Sequence, residues 1–178
     1  NIINFETIAE LANECFMPLS YGGGINQFDQ VKQIFEIGIE KVVINSHALE
    51  ERSFITKLSE HFGSQSIVAA IDVKKNIFGN YRVTSYSGTK THNISVVEWA
   101  QELQNLGAGE ILLTAIHREG TWNGFDLDLI NTVSKNVGVP VIACGGASNV
   151  NDIRDAVIEA NASAVSLGNM VVYQGKGA

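Results

Sequence analysis

Several segments of this chain are unbroken apolar runs: Lys41 to Ile44 (KVVI), Ile67 to Ile71 (IVAAI), Ile111 to Thr114 (ILLT) and Val139 to Ala143 (VPVIA). An alternating pattern would let one face of a sheet meet water, whereas a continuous run must be covered on both faces. Between these runs lie segments with apolar residues three and four apart, the period of an amphipathic helix. The alternation predicts helices around Phe5 to Ala12, Phe28 to Ile37, Leu49 to His61, Val96 to Leu106, Leu127 to Val137 and Val150 to Ala160. The strands that follow them are Met17 to Tyr21, Lys41 to Ile44, Ile67 to Ile71, Ile111 to Thr114, Val139 to Ala143 and Ala164 to Leu167. A hairpin is expected at Tyr81 to Ser85, with Asn80 in its turn. Strands that each follow a helix and need cover on both faces imply an α/β fold with a parallel sheet.

An internal repeat separates a barrel from an open sheet. Gly22-Gly23-Gly24 after one strand recurs as Gly145-Gly146-Ala147 after another, 123 residues on. The same offset lays Gly38 to Ser46 over Asn161 to Asn169, with small and apolar positions coinciding. The matching strand ends are four βα units apart, half of an eightfold barrel. This duplication favours an α/β (βα)8 TIM barrel, which normally needs at least about 200 residues. In 178 residues there is room for six units, so the chain is expected to be a single partial barrel domain holding strands 3 to 8, its first two βα units preceding Asn1.

Composition removes other classes. A net charge of −7 with twelve scattered basic residues offers no stripe to a nucleic acid backbone. No apolar run approaches the roughly 18 residues of a membrane span, and the first residues lack a signal-peptide pattern, so a cytoplasmic protein without membrane partners is expected. Cys15 and Cys144 have neither metal-type spacing nor disulfide density and are expected to be buried free thiols. Neither stands in a nucleophile elbow, so the chain could not hydrolyse glutamine unaided. His47, His61, His92 and His117 show no i, i+4 pairing, so no metal or other cofactor is expected.

In a barrel the loops after the strands form the functional face. Gly22 to Gly24 with Asn45 and Ser46 would make one phosphate site there, and Gly145-Gly146 with Gly168 and Asn169 a second. Tight turns are the plainer reading of each loop; the symmetric recurrence favours two anion sites and hence a long, doubly phosphorylated small molecule. Strand Ile67 to Ile71 delivers Asp72 between them, as a general acid/base or as the partner of Lys74 in a salt bridge. His47 stands either near a phosphate or as a solvated helix-start residue.

YGGGI (21–25), KVVINS (41–46), GSQSIVAAIDVKK (63–75), LGAGEILLTAI (106–116), REGTWNGFDLDLI (118–130) and PVIACGGA (140–147) together resemble HisF, the cyclase subunit of imidazole glycerol phosphate synthase, over essentially the whole chain. The resemblance implies a (βα)8 lyase that takes ammonia from a HisH-like glutamine amidotransferase partner. Its substrate would be a bis-phosphorylated formimino ribonucleotide, closed to imidazole glycerol phosphate with release of an aminoimidazole carboxamide ribonucleotide. Asp72 matches a catalytic aspartate of the family; Gly24, Asn45 and Ser46 match one phosphate site, and Gly120, Gly146 and Gly168 lie in or near the other. A second catalytic aspartate and a loop lysine would precede Asn1.

Two departures stand out. The family reads Ile-Asp-Arg-Asp-Gly-Thr where this chain has Ile116-His117-Arg118-Glu119-Gly120-Thr121, and typically Thr-Gly where it has His92-Asn93. Two histidines at site positions imply altered specificity, with His117 in the substrate-binding loop. ECFMPLSYGGGI (14–25), IDVKKNIFGNY (71–81) and VVYQGKGA (171–178) look closer to HisF-like paralogues that serve acetamido-to-acetamidino conversion of surface-polysaccharide sugars. Three alternatives remain open: the histidine-pathway cyclase, a non-catalytic ammonia conduit and docking scaffold, and a HisA-type isomerase.

Overall fold

A computed structural model describes residues 3–172. Asn1, Ile2 and residues 173–178, most of the VVYQGKGA ending, lie outside the described residues. The elements are α1 (Phe5–Glu14), β1 (Ser20–Gly22), α2 (Phe28–Glu36), β2 (Lys41–Ile44), α3 (Ser46–Glu50), α4 (Ser53–Phe62), β3 (Ile67–Lys75), β4 (Tyr81–Ser85), β5 (Lys90–Thr91), α5 (Val96–Asn105), β6 (Glu110–Ala115), α6 (Leu127–Ser134), β7 (Val141–Cys144), α7 (Val150–Ile158), β8 (Ala164–Ser166) and α8 (Asn169–Val172).

Six strands pair in the order β1-β2-β3-β6-β7-β8, every neighbour parallel, and the β4–β5 hairpin hangs antiparallel from β3. This is the curled sheet of a partial (βα)8 barrel. Neighbours in sequence are neighbours in the sheet because each crossover helix returns the chain in the same direction and hand. The middle of the sheet is the driest part: Ile67 to Ile71 of β3 are all buried, as the unbroken apolar run requires. Val31 and Ile34 of α2, Ile55 and Leu58 of α4, Trp99 and Leu103 of α5, and Leu129 and Val133 of α6 are buried from the helices.

Local signals start the helices. Asn4 accepts from the Thr7 backbone N–H at α1, while Ser95 with Glu98 and Asn149 with Asp152 form capping boxes at α5 and α7. At the amino ends of β2 and β6 the Lys41 ammonium donates to Glu110 at 2.5 Å, a part-buried ion pair.

Three expectations need correction, and one element was not expected. The single helix over Leu49 to His61 is two helices, α3 and α4, because Glu51 turns to an extended backbone (φ −133°, ψ 90°). β3 runs to Lys75, so Asp72 sits within a strand rather than just past one, because the turn at 76–80 folds β4 back onto that extension. The Asn76 side chain closes this turn by accepting from the Phe78 and Asn80 N–H groups. The short helix α8 had no periodic signal. Cys15 is exposed, because it caps α1 beyond that helix's buried side; Cys144 is half-buried.

Ile71 is fully buried in the central strand. Ile71→Ala is therefore expected to lower stability by about 2–5 kcal/mol in urea denaturation. A midpoint unchanged from the native protein would mean that β3 is not covered on both faces.

Candidate functional site

Register places one polar residue from each of four strands in a row near their carboxyl ends. Asp72 of β3 pairs with Thr114 of β6, Thr114 with Cys144 of β7, and Cys144 with Ser166 of β8. Adjacent strands lie about 4.8 Å apart, so the row spans roughly 14 Å. Immediately below it the strands are apolar, through Ile67 to Ile71, Ile111 to Leu113, Val141 to Ala143 and Ala164 to Val165. The row therefore marks the level at which the core gives way to a polar mouth.

A cavity opens at each end of that row. The first, of about 600 Å3, is lined by Gly22 to Gly24, Asn45, Ser46 and Asp72, with Glu50 and Tyr86 on its far wall. The second, of about 250 Å3, is lined by Glu119, Gly120, Gly145, Gly146, Gly168 and Asn169, together with Trp122 and the row members Cys144 and Ser166. The sequence-predicted glycine loops thus come together in the two groups expected, on one end of the sheet. Glycine is a steric necessity at Gly146: its φ is +99°, and a Cβ there would approach the Gly124 carbonyl oxygen to 2.4 Å. The Gly124 N–H donates back to the Gly146 carbonyl at 2.8 Å, binding the β6–α6 loop to the loop after β7.

Asp72 belongs to the first cavity. Burial raises its carboxyl above the ordinary value, and the Asn45 and Thr114 side chains beside it pull the other way. Among the described residues it has no ion-pair partner, so the salt bridge to Lys74 is not formed. The tip of the β4–β5 hairpin closes this cavity's rim. Tyr86 and Ser87 take left-handed φ values of 53° and 56°, the Tyr86 N–H donates to Ser46 Oγ at 3.1 Å, and the Tyr86 hydroxyl donates to Glu50. Glu50 stays well ionised because of that Tyr86 bond and the nearby His47. His47 also lines this cavity, its ring packed edge-on to Phe54 with centroids 4.7 Å apart.

The two unusual histidines line neither cavity. His92 follows β5 and shares a 2.7 Å hydrogen bond with Ser85, and Asn93 beside it is exposed. His117 instead belongs to a cluster that the sequence did not announce. Its centre is Asp126, 3% exposed. That carboxylate accepts from the Tyr81 hydroxyl at 2.7 Å, from His117 Nε2 at 2.9 Å, from Lys75 Nζ at 3.1 Å and from the Leu129 N–H at 3.2 Å. Burial by itself would raise the Asp126 carboxyl, but these donors outweigh it and hold it below the ordinary carboxylate range. The same burial and the carboxylate push the Tyr81 hydroxyl far up, so it stays a donor. Among the described residues no three His, Cys, Asp or Glu side chains are grouped to hold a metal, and no helix is long and apolar enough to cross a membrane.

Comparison with known proteins accords with this arrangement. Residues 1–177 match the family model described as "Histidine biosynthesis protein". A Pseudomonas aeruginosa protein called "Putative imidazole glycerol phosphate synthase subunit hisF2" is 46% identical over 173 residues, 97% of this chain and 69% of that protein. An Alkaliphilus metalliredigens "Imidazole glycerol phosphate synthase subunit HisF" is 41% identical over 171 residues, 96% of this chain and 68% of its own length. A Leptospira borgpetersenii relative, "Putative imidazole glycerol phosphate synthase subunit HisF", is 38% identical, covering 97% of the chain and 68% of the relative.

Because Asp126 is held below its ordinary value, its ionised form contributes stability that is present above about pH 4 and lost as pH falls through its lowered folded value. Asp126→Asn is expected to cost on the order of 3 kcal/mol at pH 7. The gap from the native protein should shrink below about pH 4 in thermal melts taken across a pH series. A gap that stays constant with pH would assign the loss to packing rather than to the charge.

Proposed function

The chain belongs to the histidine biosynthesis protein family, among its HisF-type subunits, and from that premise we propose that it is the ammonia-using cyclase component of an imidazole glycerol phosphate synthase type reaction. One observation carries the reading: two glycine-lined cavities at the carboxyl ends of the strands, joined by the row Asp72, Thr114, Cys144 and Ser166. A substrate with a phosphate at each end fits that layout, with its middle over the row and its reacting atoms near Asp72.

In this reading Gly24, Asn45 and Ser46 hold one phosphate, and Gly120, Gly146, Gly168 and Asn169 the other. Backbone N–H groups in left-handed glycine turns supply donors that need no charged side chain. Asp72 acts as the general acid/base of ring closure; its burial-raised carboxyl keeps a proton to higher pH than a solvated aspartate would, which suits it to give as well as accept one. Ammonia comes from a glutamine amidotransferase of the HisH type, since neither cysteine is placed as a nucleophile for glutamine hydrolysis.

The finer reading is a paralogue that serves amidation of surface-polysaccharide sugars. The departures at His117 and His92 support a branch apart from the histidine pathway. The scaffold reading competes with both, and Asp72 distinguishes them.

Purified full-length protein is to be assayed for ammonia-dependent formation of imidazole glycerol phosphate, with Asp72→Asn beside it. The substitution is expected to lower turnover by about 10² to 10⁴. Equal turnover in both proteins would remove Asp72 from the chemistry. A folded native protein that binds an amidotransferase but turns over no bis-phosphorylated ribonucleotide would point to the polysaccharide branch or the scaffold.

A further inference from the structure

The loop from β6 to α6 carries Gly120 and Trp122 to the second cavity, yet His117, at the loop's start, faces away from that cavity into the Asp126 cluster. Asp126 is the residue at the loop's other end and the N-cap of α6. We infer that His117 is a positioning residue: with Asp126 it staples the two ends of loop 117–126 together and so holds the loop's apex against the second cavity.

The chemistry supports a staple. An ionised carboxylate only accepts, so the hydrogen between His117 Nε2 and Asp126 Oδ2 is on the imidazole. Nδ1 of the same ring is buried without a partner, so the imidazole's side-chain bonding is spent on Asp126. The loop between the two ends has its own braces. Arg118 Nη1 donates to the Asn123 carbonyl at 2.9 Å, Thr121 Oγ1 to the Arg118 carbonyl at 2.7 Å, and the Gly124 N–H reaches Gly146 across the cavity's edge. Trp122 takes a left-handed φ of 58°, a conformation that needs such constraint. The loop is thus a braced body whose attitude depends on how its base is closed.

The identity of residue 117 decides that closure. An aspartate there, as the family resemblance leads one to expect, would set a second carboxylate against Asp126 and repel it. The imidazole N–H attracts it instead. Tyr81, Lys75 and the Leu129 N–H still satisfy Asp126 when His117 is removed, so the loss falls on the loop rather than on the core.

The inference takes the second cavity as a phosphate site, as proposed above, and its test separates the two claims. Hydrogen exchange of the full-length protein, His117→Ala and His117→Gln is to be followed across 118–124 and 145–147, first alone and then through a titration with inorganic phosphate. Hydrogen bonds to charged groups commonly contribute a factor of ten or more. Without phosphate, His117→Ala is expected to exchange about tenfold faster across 118–124, at a melting temperature within a few degrees of native. It should also need about tenfold more phosphate to protect 145–147. His117→Gln, whose amide N–H can reach the same oxygen, should stay near native. Exchange in His117→Ala equal to native, or as fast in the glutamine variant as in the alanine one, would overturn the staple. Absence of phosphate protection in the native protein, with the faster loop exchange intact, would uphold the staple and remove the phosphate reading instead.

Discussion

The layout of the candidate face follows from the double cover of β3. With Ile67 to Ile71 buried from both sides, the middle of the parallel ladder of β2, β3 and β6 is apolar, and its polar side chains stand at the ends: the Lys41–Glu110 pair at the amino end and Asp72 and Thr114 towards the carboxyl end. Polar groups are therefore pushed to the strand ends, and in a parallel sheet all the carboxyl ends lie on one side. The row of Asp72, Thr114, Cys144 and Ser166 is the polar level on the carboxyl side, and the glycine loops that line the two cavities follow it in the chain.

That arrangement produces two cavities of different character. The first is roomy and holds the acid with the raised pKa, Asp72, together with Glu50, whose charge is retained by Tyr86 and His47. The second is smaller and lined mainly by glycines and short polar residues, with Glu119 at its wall. Under the proposed function this difference would suit a two-ended substrate, with chemistry near one end and anchorage at the other. Asp126 ties the two halves of the face together, because Lys75 and Tyr81 come from the β3–β4 turn region and His117 from the loop that feeds the second cavity.

Much of this was legible in the residues. Continuous apolar runs announced the buried parallel strands, and the 123-residue recurrence of Gly22 to Gly24 at Gly145 announced paired loops half a barrel apart. Asp72 was legible as a residue because it follows the most apolar run, Ile67 to Ile71, although β3 continues past it to Lys75. The break between α3 and α4 was not, since Glu51 is an ordinary helix former whose extended backbone is imposed by the fold. Asp126 was equally silent: in sequence it is one more acidic N-cap ahead of an apolar helix, and one of its donors, the Tyr81 hydroxyl, lies 45 residues away. The histidines were legible as departures but their contacts were not, because residue type gives no direction to the ring.

By itself the sequence determined the class of fold, the order of its strands and the end of the sheet at which its glycine loops gather, because hydrophobic period and glycine placement are local properties that any packing must respect. Only the tertiary structure decided which polar groups meet. Asp126 gathers donors from three separate segments, and Tyr86 reaches Ser46 and Glu50 across a hairpin, through contacts whose geometry is set by strand register and loop closure rather than by spacing along the chain.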